Sequence, residues 1–100
     1  MTNMLRTQEI AYNDILEFRD ILLTRLNIGL VQTSPIDMMF EFYSNMGNYY
    51  RGFITFLDNK IFKIKVLNQM GGVEIVKSVV PGQLAKDASL LKNIAARLQK

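Results

Sequence analysis

The chain has neither cysteine nor histidine among its 100 residues. The first absence excludes disulfides and thiolate chemistry; the second removes the commonest general base and the commonest metal ligand. Most hydrolytic and redox mechanisms lose their usual residues with them. No apolar run approaches the ~20 residues of a membrane-spanning helix. Residues 1–6 lead into a charged amphipathic segment and not into the apolar stretch of a secretory signal. The expectation is a soluble, cytoplasmic protein without membrane contact, and a cysteine-free chain fits a reducing compartment.

Signatures of chemistry are equally scarce. Met70-Gly71-Gly72-Val73 lacks the Lys and Ser or Thr that a phosphate-binding loop needs downstream. Asp37 and Glu41 fall on one side of a strand but about 13 Å apart at strand rise, too far for a carboxylate pair, and read as solvated charges. Asp58 is explained by a turn. No catalytic residue, metal site or cofactor is expected, and the chain reads as non-enzymatic.

What is present is apolar material, 49% of residues, enough for one core in a single α+β domain spanning 1–100. The net charge of +3 conceals an asymmetry. Residues 1–58 hold four cations against seven anions, a balance of −3, whereas residues 59–100 hold eight against two, a balance of +6. Such a split points either to an internal match of the halves or to a basic surface aimed at an acidic partner.

Along the chain, Leu5, Tyr12, Ile15, Phe18, Leu22 and Leu26 recur at helical spacing, with Glu9, Asp14, Glu17, Asp20 and Arg25 largely off that stripe. Ile10, Ile21 and Leu23 widen the apolar surface beyond one packing face. Asn27, Gly29 and Ser34-Pro35 end the helix and form a connector. Residues 37–44 alternate as a strand, with a short helix as the alternative, Asn45-Met46-Gly47-Asn48 turn, and two more strands follow as a hairpin. After the turn at residues 68–72, the β-branched stretch 73–80 is a fourth strand, stopped by Pro81-Gly82. Leu84, Ala88, Leu91, Ile94 or Ala95, and Leu98 then mark a C-terminal helix, with Asp87 as N-cap if it begins at Ala88. The predicted order is α-β-β-β-β-α: an N-terminal helix, a four-stranded antiparallel meander and a C-terminal helix.

The central hairpin, residues 49–67, is apolar on both faces. A two-residue Asp58-Asn59 loop would set Leu57 opposite Lys60. Arg51, Phe53 and Thr55 would then share the core face with Phe62, Ile64 and Val66. The other face would carry Tyr50, Gly52, Ile54 and Phe56 beside Ile61, Lys63 and Lys65. One bland arrangement covers each sheet face with one helix and leaves the lysine stems packed at the edge. The functional arrangement leaves Tyr50, Ile54, Phe56, Lys63 and Lys65 as a surface for a protein partner or a second copy of the chain, the mark of an adaptor, regulator or small inhibitor. The alternative is a nucleic-acid surface in which bases stack on the rings and phosphates meet the lysines. It lacks arginine on that face and any RNA-binding motif. Tyr43, Tyr49 and Tyr50 read as rim residues of the core, and Met38, Met39, Met46 and Met70 as flexible filler. Lys86, Lys92, Arg97 and Lys100 give the last helix its cations, while its apolar stripe is explained by packing.

Overall fold

The computed structural model describes residues 2–33, 37–58 and 60–100, with side chains from Gln8 onward. The chain runs through helix α1 (Thr2–Leu26), strands β1 (Leu30–Gln32), β2 (Asp37–Tyr43), β3 (Tyr49–Phe56), β4 (Phe62–Asn68) and β5 (Val73–Val79), and helix α2 (Ala88–Leu98). The strands form one antiparallel sheet in chain order. The α+β class and the meander agree with the sequence, but the sheet has five strands and not four. The extra strand, β1, lies in the stretch read as a connector and pairs Val31 with Met39. Three residues are too few to display an alternation, so only the free edge of β2 reveals them as a strand. Ser34-Pro35 of that connector and Asn59 of the hairpin loop lie outside the described residues.

The hairpin differs from its sequence reading by one residue. The Leu57 N–H donates to the Ile61 carbonyl (2.9 Å) and the Lys60 N–H to the Leu57 carbonyl (2.9 Å), with Lys60 at φ 64°. The loop therefore has three residues and closes on a left-handed one, the second common way to turn a hairpin. Phe56 pairs with Phe62, Ile54 with Ile64 and Gly52 with Val66. Because side chains alternate with period two, a slip of one residue moves every side chain of β3 to the opposite face relative to β4. Tyr50, Gly52 and Ile54 are consequently buried with Phe62, Ile64 and Val66, and Arg51, Phe53 and Thr55 turn outward with Lys63 and Lys65.

The inward face of the sheet is continuous. Met38, Phe40 and Phe42 of β2 extend it on one side, and Ile75 and Val79 of β5 on the other. Phe42 stacks on Tyr50 at 5.1 Å, and Phe56 meets Phe62 at the same separation. The Phe40 ring lies over Gly52, its cross-strand partner, in space that any side chain at that position would occupy.

Both helices cover this same face and share one core with it. From α1 come Ala11, Ile15, Phe18 and Leu22, and from α2 come Leu90 and Ile94, with Leu84 and Ala85 of the preceding loop. The arrangement with one helix on each face is not the one adopted. Asn27, at φ 57°, ends α1, and Asp87 caps α2 by accepting the Leu90 N–H at 2.9 Å. Within α1 the buried stripe departs from the sequence pattern in one turn: Tyr12 is exposed, while Ala11 and Asp14 are buried. The cause is a polar tie. The Asp14 carboxylate accepts backbone N–H bonds from Gly82 (2.8 Å), Leu84 (2.8 Å) and Ala85 (3.0 Å). These charge-assisted bonds replace the water the carboxylate loses and fasten α1 to the loop that launches α2. The far end of α2 is held too, since the Ser44 hydroxyl donates to the Lys100 carbonyl (2.7 Å) and the Asn45 N–H to the Leu98 carbonyl (2.8 Å).

Two stability measurements check this account. Asp14→Ala leaves buried N–H groups without an acceptor and should cost about 3–5 kcal/mol in urea denaturation, with Asp14→Asn intermediate because one acceptor oxygen survives. Gly52→Ala should cost about 1–3 kcal/mol, since the Phe40 ring must leave its place.

Candidate functional site

With both helices on one side, no layer lies over the other face of the sheet among the described residues. Its composition follows from the register, because directly opposed residues point the same way. A central row crosses all five strands: Val31, Met39, Phe53, Lys65 and Val76. On one side of it lie Asp37, Thr55, Lys63 and Ser78. On the other lie Glu41, Arg51, Leu67 and Val73, followed by Tyr43 paired with Tyr49. Val31, Tyr43, Val73 and Val76 are all more than half exposed. Phe53, Met39 and Leu67 are half-buried.

The polar residues on this face are organised. The Tyr49 hydroxyl donates to the Glu41 carboxylate and accepts from Arg51 Nε (3.1 Å), and the Arg51 guanidinium stands 5.7 Å from the Tyr49 ring centre. Tyr49, and to a lesser degree Glu41, hold the Arg51 pKa above its ordinary value. Tyr43 packs on Tyr49 at 5.2 Å, so the rim of the face is a linked cluster of rings and charges. Charge is also graded across the strands. The acids Asp37 and Glu41 are on β2, whereas Lys63 and Lys65 are on β4.

The residues expected to form a partner-binding surface are therefore divided. Tyr50 and Ile54 are core residues, Phe56 packs on the core, and Lys63 and Lys65 lie on the opposite, open face. The expectation that these five form one surface is corrected, and the one-residue difference in the hairpin loop is the reason. The residues that do accompany the lysines are Phe53, Met39, Leu67 and Val76. The signal that would have found them was Lys60 in place of a paired residue after Asp58-Asn59, but no single sequence fixes a loop length. The tyrosine trio separates likewise: Tyr43 and Tyr49 meet on the open face and Tyr50 does not.

Other features have structural explanations. A cavity of about 340 Å³ between α1 and the end of the hairpin is lined by Gln8, Ala11, Tyr12, Ile15, Met38, Phe56 and Phe62, without a charged side chain. Asn68 accepts the N–H groups of Met70 and Gly72 and shapes the β4–β5 turn. Pairing there steps from Val66–Ile75 to Leu67–Val73, leaving Glu74 as the extra residue of a bulge, where its carboxylate meets Arg97 at 3.4 Å. The ion pairs Arg19–Asp20, Lys77–Asp87 and Arg97–Glu74 each form within one half of the chain, so they do not match the acidic half to the basic one. Among the described residues, no group of three or more acidic side chains is gathered to hold a metal ion, and no helix is long and apolar enough to cross a membrane.

Comparison with protein-family models, curated proteins and solved structures finds no match, so function must be read from this geometry.

Asp87 supplies a pH test of the framework. Partial burial pushes its carboxyl up, but the hydrogen bond from Lys77, the Leu90 N–H, the Lys77 charge and the Ser89 N–H outweigh it and hold the group below its ordinary 3.8. A lowered folded-state pKa contributes stability above the unfolded value that is lost as pH falls through the folded one. Asp87→Asn keeps the cap and removes the ion pair, so it should be less stable than wild type by about 1 kcal/mol near neutrality. The urea midpoints should converge as pH drops below 3.8.

Proposed function

We propose that the protein is a non-enzymatic, cytoplasmic association module that binds a protein partner through the open face of its sheet, as an adaptor, regulator or inhibitor does. The observation that carries this reading is the central row of Val31, Met39, Phe53, Lys65 and Val76, an apolar band with one long amphipathic cation, bordered by polar residues on a face without a covering layer. An uncovered sheet of this size normally shows a polar outer alternation. Apolar and aromatic residues there, ringed by charge, have the composition of an interface core and its rim.

The same face has aromatic rings and cations, the ingredients of a single-stranded nucleic-acid surface. Its charges argue for protein. Arg51, Lys63 and Lys65 are offset by Asp37 and Glu41, and Arg51 is engaged with Tyr49. A phosphate backbone selects a strongly positive track, which this face does not provide.

The test compares substitutions at neighbouring positions of β3. Phe53→Asp should leave the circular dichroism spectrum and urea midpoint close to wild type while abolishing association. Ile54→Asp should unfold the chain, because an unpaired charge in the core costs several kcal/mol. Association is read as mass by light scattering and as protein retained by the immobilised chain, each at low and high salt. Retention that survives salt and is lost in Phe53→Asp supports the reading, while a nuclease-sensitive, salt-labile species would replace it with the nucleic-acid one.

A further inference from the structure

We infer that the partner seated on this face is a second copy of the chain, packed sheet to sheet about a two-fold axis that runs parallel to β3. This rests on the reading of the open face as a protein interface and names its occupant.

Two geometric facts select the arrangement. Strand β3 is the middle strand, and β2 and β4 flank it with opposite charge: acids Asp37 and Glu41 on one side, Lys63 and Lys65 on the other. Two-fold rotation about an axis along β3 places β2 of each copy over β4 of the other, while keeping each residue at the same height along the strands. The central row then meets itself in a complementary way. Phe53 falls on Phe53 at the axis, Met39 on the stem of Lys65, and Val31 on Val76. In the neighbouring row the acidic end at Asp37 faces the basic end at Lys63. The other two-fold, across the strands through the central row, stacks Lys65 on Lys65 and the acids of β2 on one another. Like charges brought together in this way oppose association and select the first axis. The first axis sets Arg51 opposite its own copy, one like-charge contact against the three of the other axis, and there the guanidinium is turned onto Tyr49, whose hydroxyl is bonded to the Glu41 carboxylate.

The area is sufficient. Strands of seven or eight residues and a width of about four strand spacings give a face of roughly 23 by 19 Å. Two such faces amount to roughly 900 Å² in projection, and the relief of the side chains raises the accessible surface they bury to on the order of 1,000 Å², the lower bound for a specific interface.

The absence of cysteine makes the symmetry directly measurable, because a single introduced thiol is the only one in the chain. Thr55→Cys sits on β3 beside the axis, and Ser78→Cys sits on β5, two strands away. The proposed axis puts the Thr55 positions about 10 Å apart and the Ser78 positions about 20 Å apart, whereas the axis across the strands makes the two separations nearly equal. A bismaleimide with a spacer of about 8 Å, in reach of the first separation only, should therefore link Thr55→Cys into a covalent dimer and leave Ser78→Cys monomeric. Lys63→Glu should weaken the wild-type dimer at least about tenfold, as repulsion replaces attraction. A Phe53-dependent dimer that links at both positions, at neither, or at Ser78→Cys alone overturns the axis and leaves the open-face reading standing. A dimer indifferent to Phe53→Asp overturns both. A wild-type chain that stays monomeric at about 100 μM overturns the second copy as occupant, and retention of a different protein by the Phe53 face then shows the broader reading intact.

Discussion

The pairing of Ile54 with Ile64 across the β3–β4 ladder is the constraint from which the rest of the structure follows. Once those side chains share a face, alternation sends Tyr50 and Gly52 inward with them, and the neighbouring strands must present Phe40, Phe42 and Ile75 to the same side. The register is locked on both sides of β3. The loop through Lys60 takes up three residues and sets β3 against β4, while the Phe40 ring needs the space that only Gly52 leaves and sets β2 against β3. A shift of one residue would bury Arg51 and put Ile54 in water, which no rearrangement of the helices could offset.

The second constraint is topological. A sheet with two helices can be covered on one face or on both, and hydrophobicity alone does not choose between these. Here the choice is reinforced by a polar group. Asp14 lies on the buried side of α1 and accepts three N–H groups from the loop ahead of α2, which brings the two helices to one side. The capping of α2 by Asp87 and the docking of its far end on the β2–β3 turn complete that arrangement. The open face is thus a consequence of where the helices are tied, and its apolar residues are the surplus that one layer of helices does not cover.

Much of the fold was legible in the sequence because its cues are local. The α1 stripe at Ile15, Phe18 and Leu22, the turns at residues 45–48 and 68–72, the stop at Pro81-Gly82 and the Asp87 cap each depend on a few neighbouring residues. The candidate site was less legible. Both faces of the hairpin are apolar, so alternation showed two faces without saying which was inner, and the loop length decided it. Asp14 falls off the apolar stripe of α1 in the sequence, and nothing near it announces its burial, because the N–H groups that donate to its carboxylate are about seventy residues away in the chain. Strand β1 is too short to carry a pattern.

By itself, then, the sequence determined the class of the fold, the order of its long elements and an unusual surplus of apolar residues on a sheet, because periodicity and turn chemistry act over a few residues. Only the tertiary structure decided which apolar residues are core and which are surface. That choice depends on a cross-strand register and on long-range backbone bonds to Asp14, and neither has a signature within any one segment of the chain.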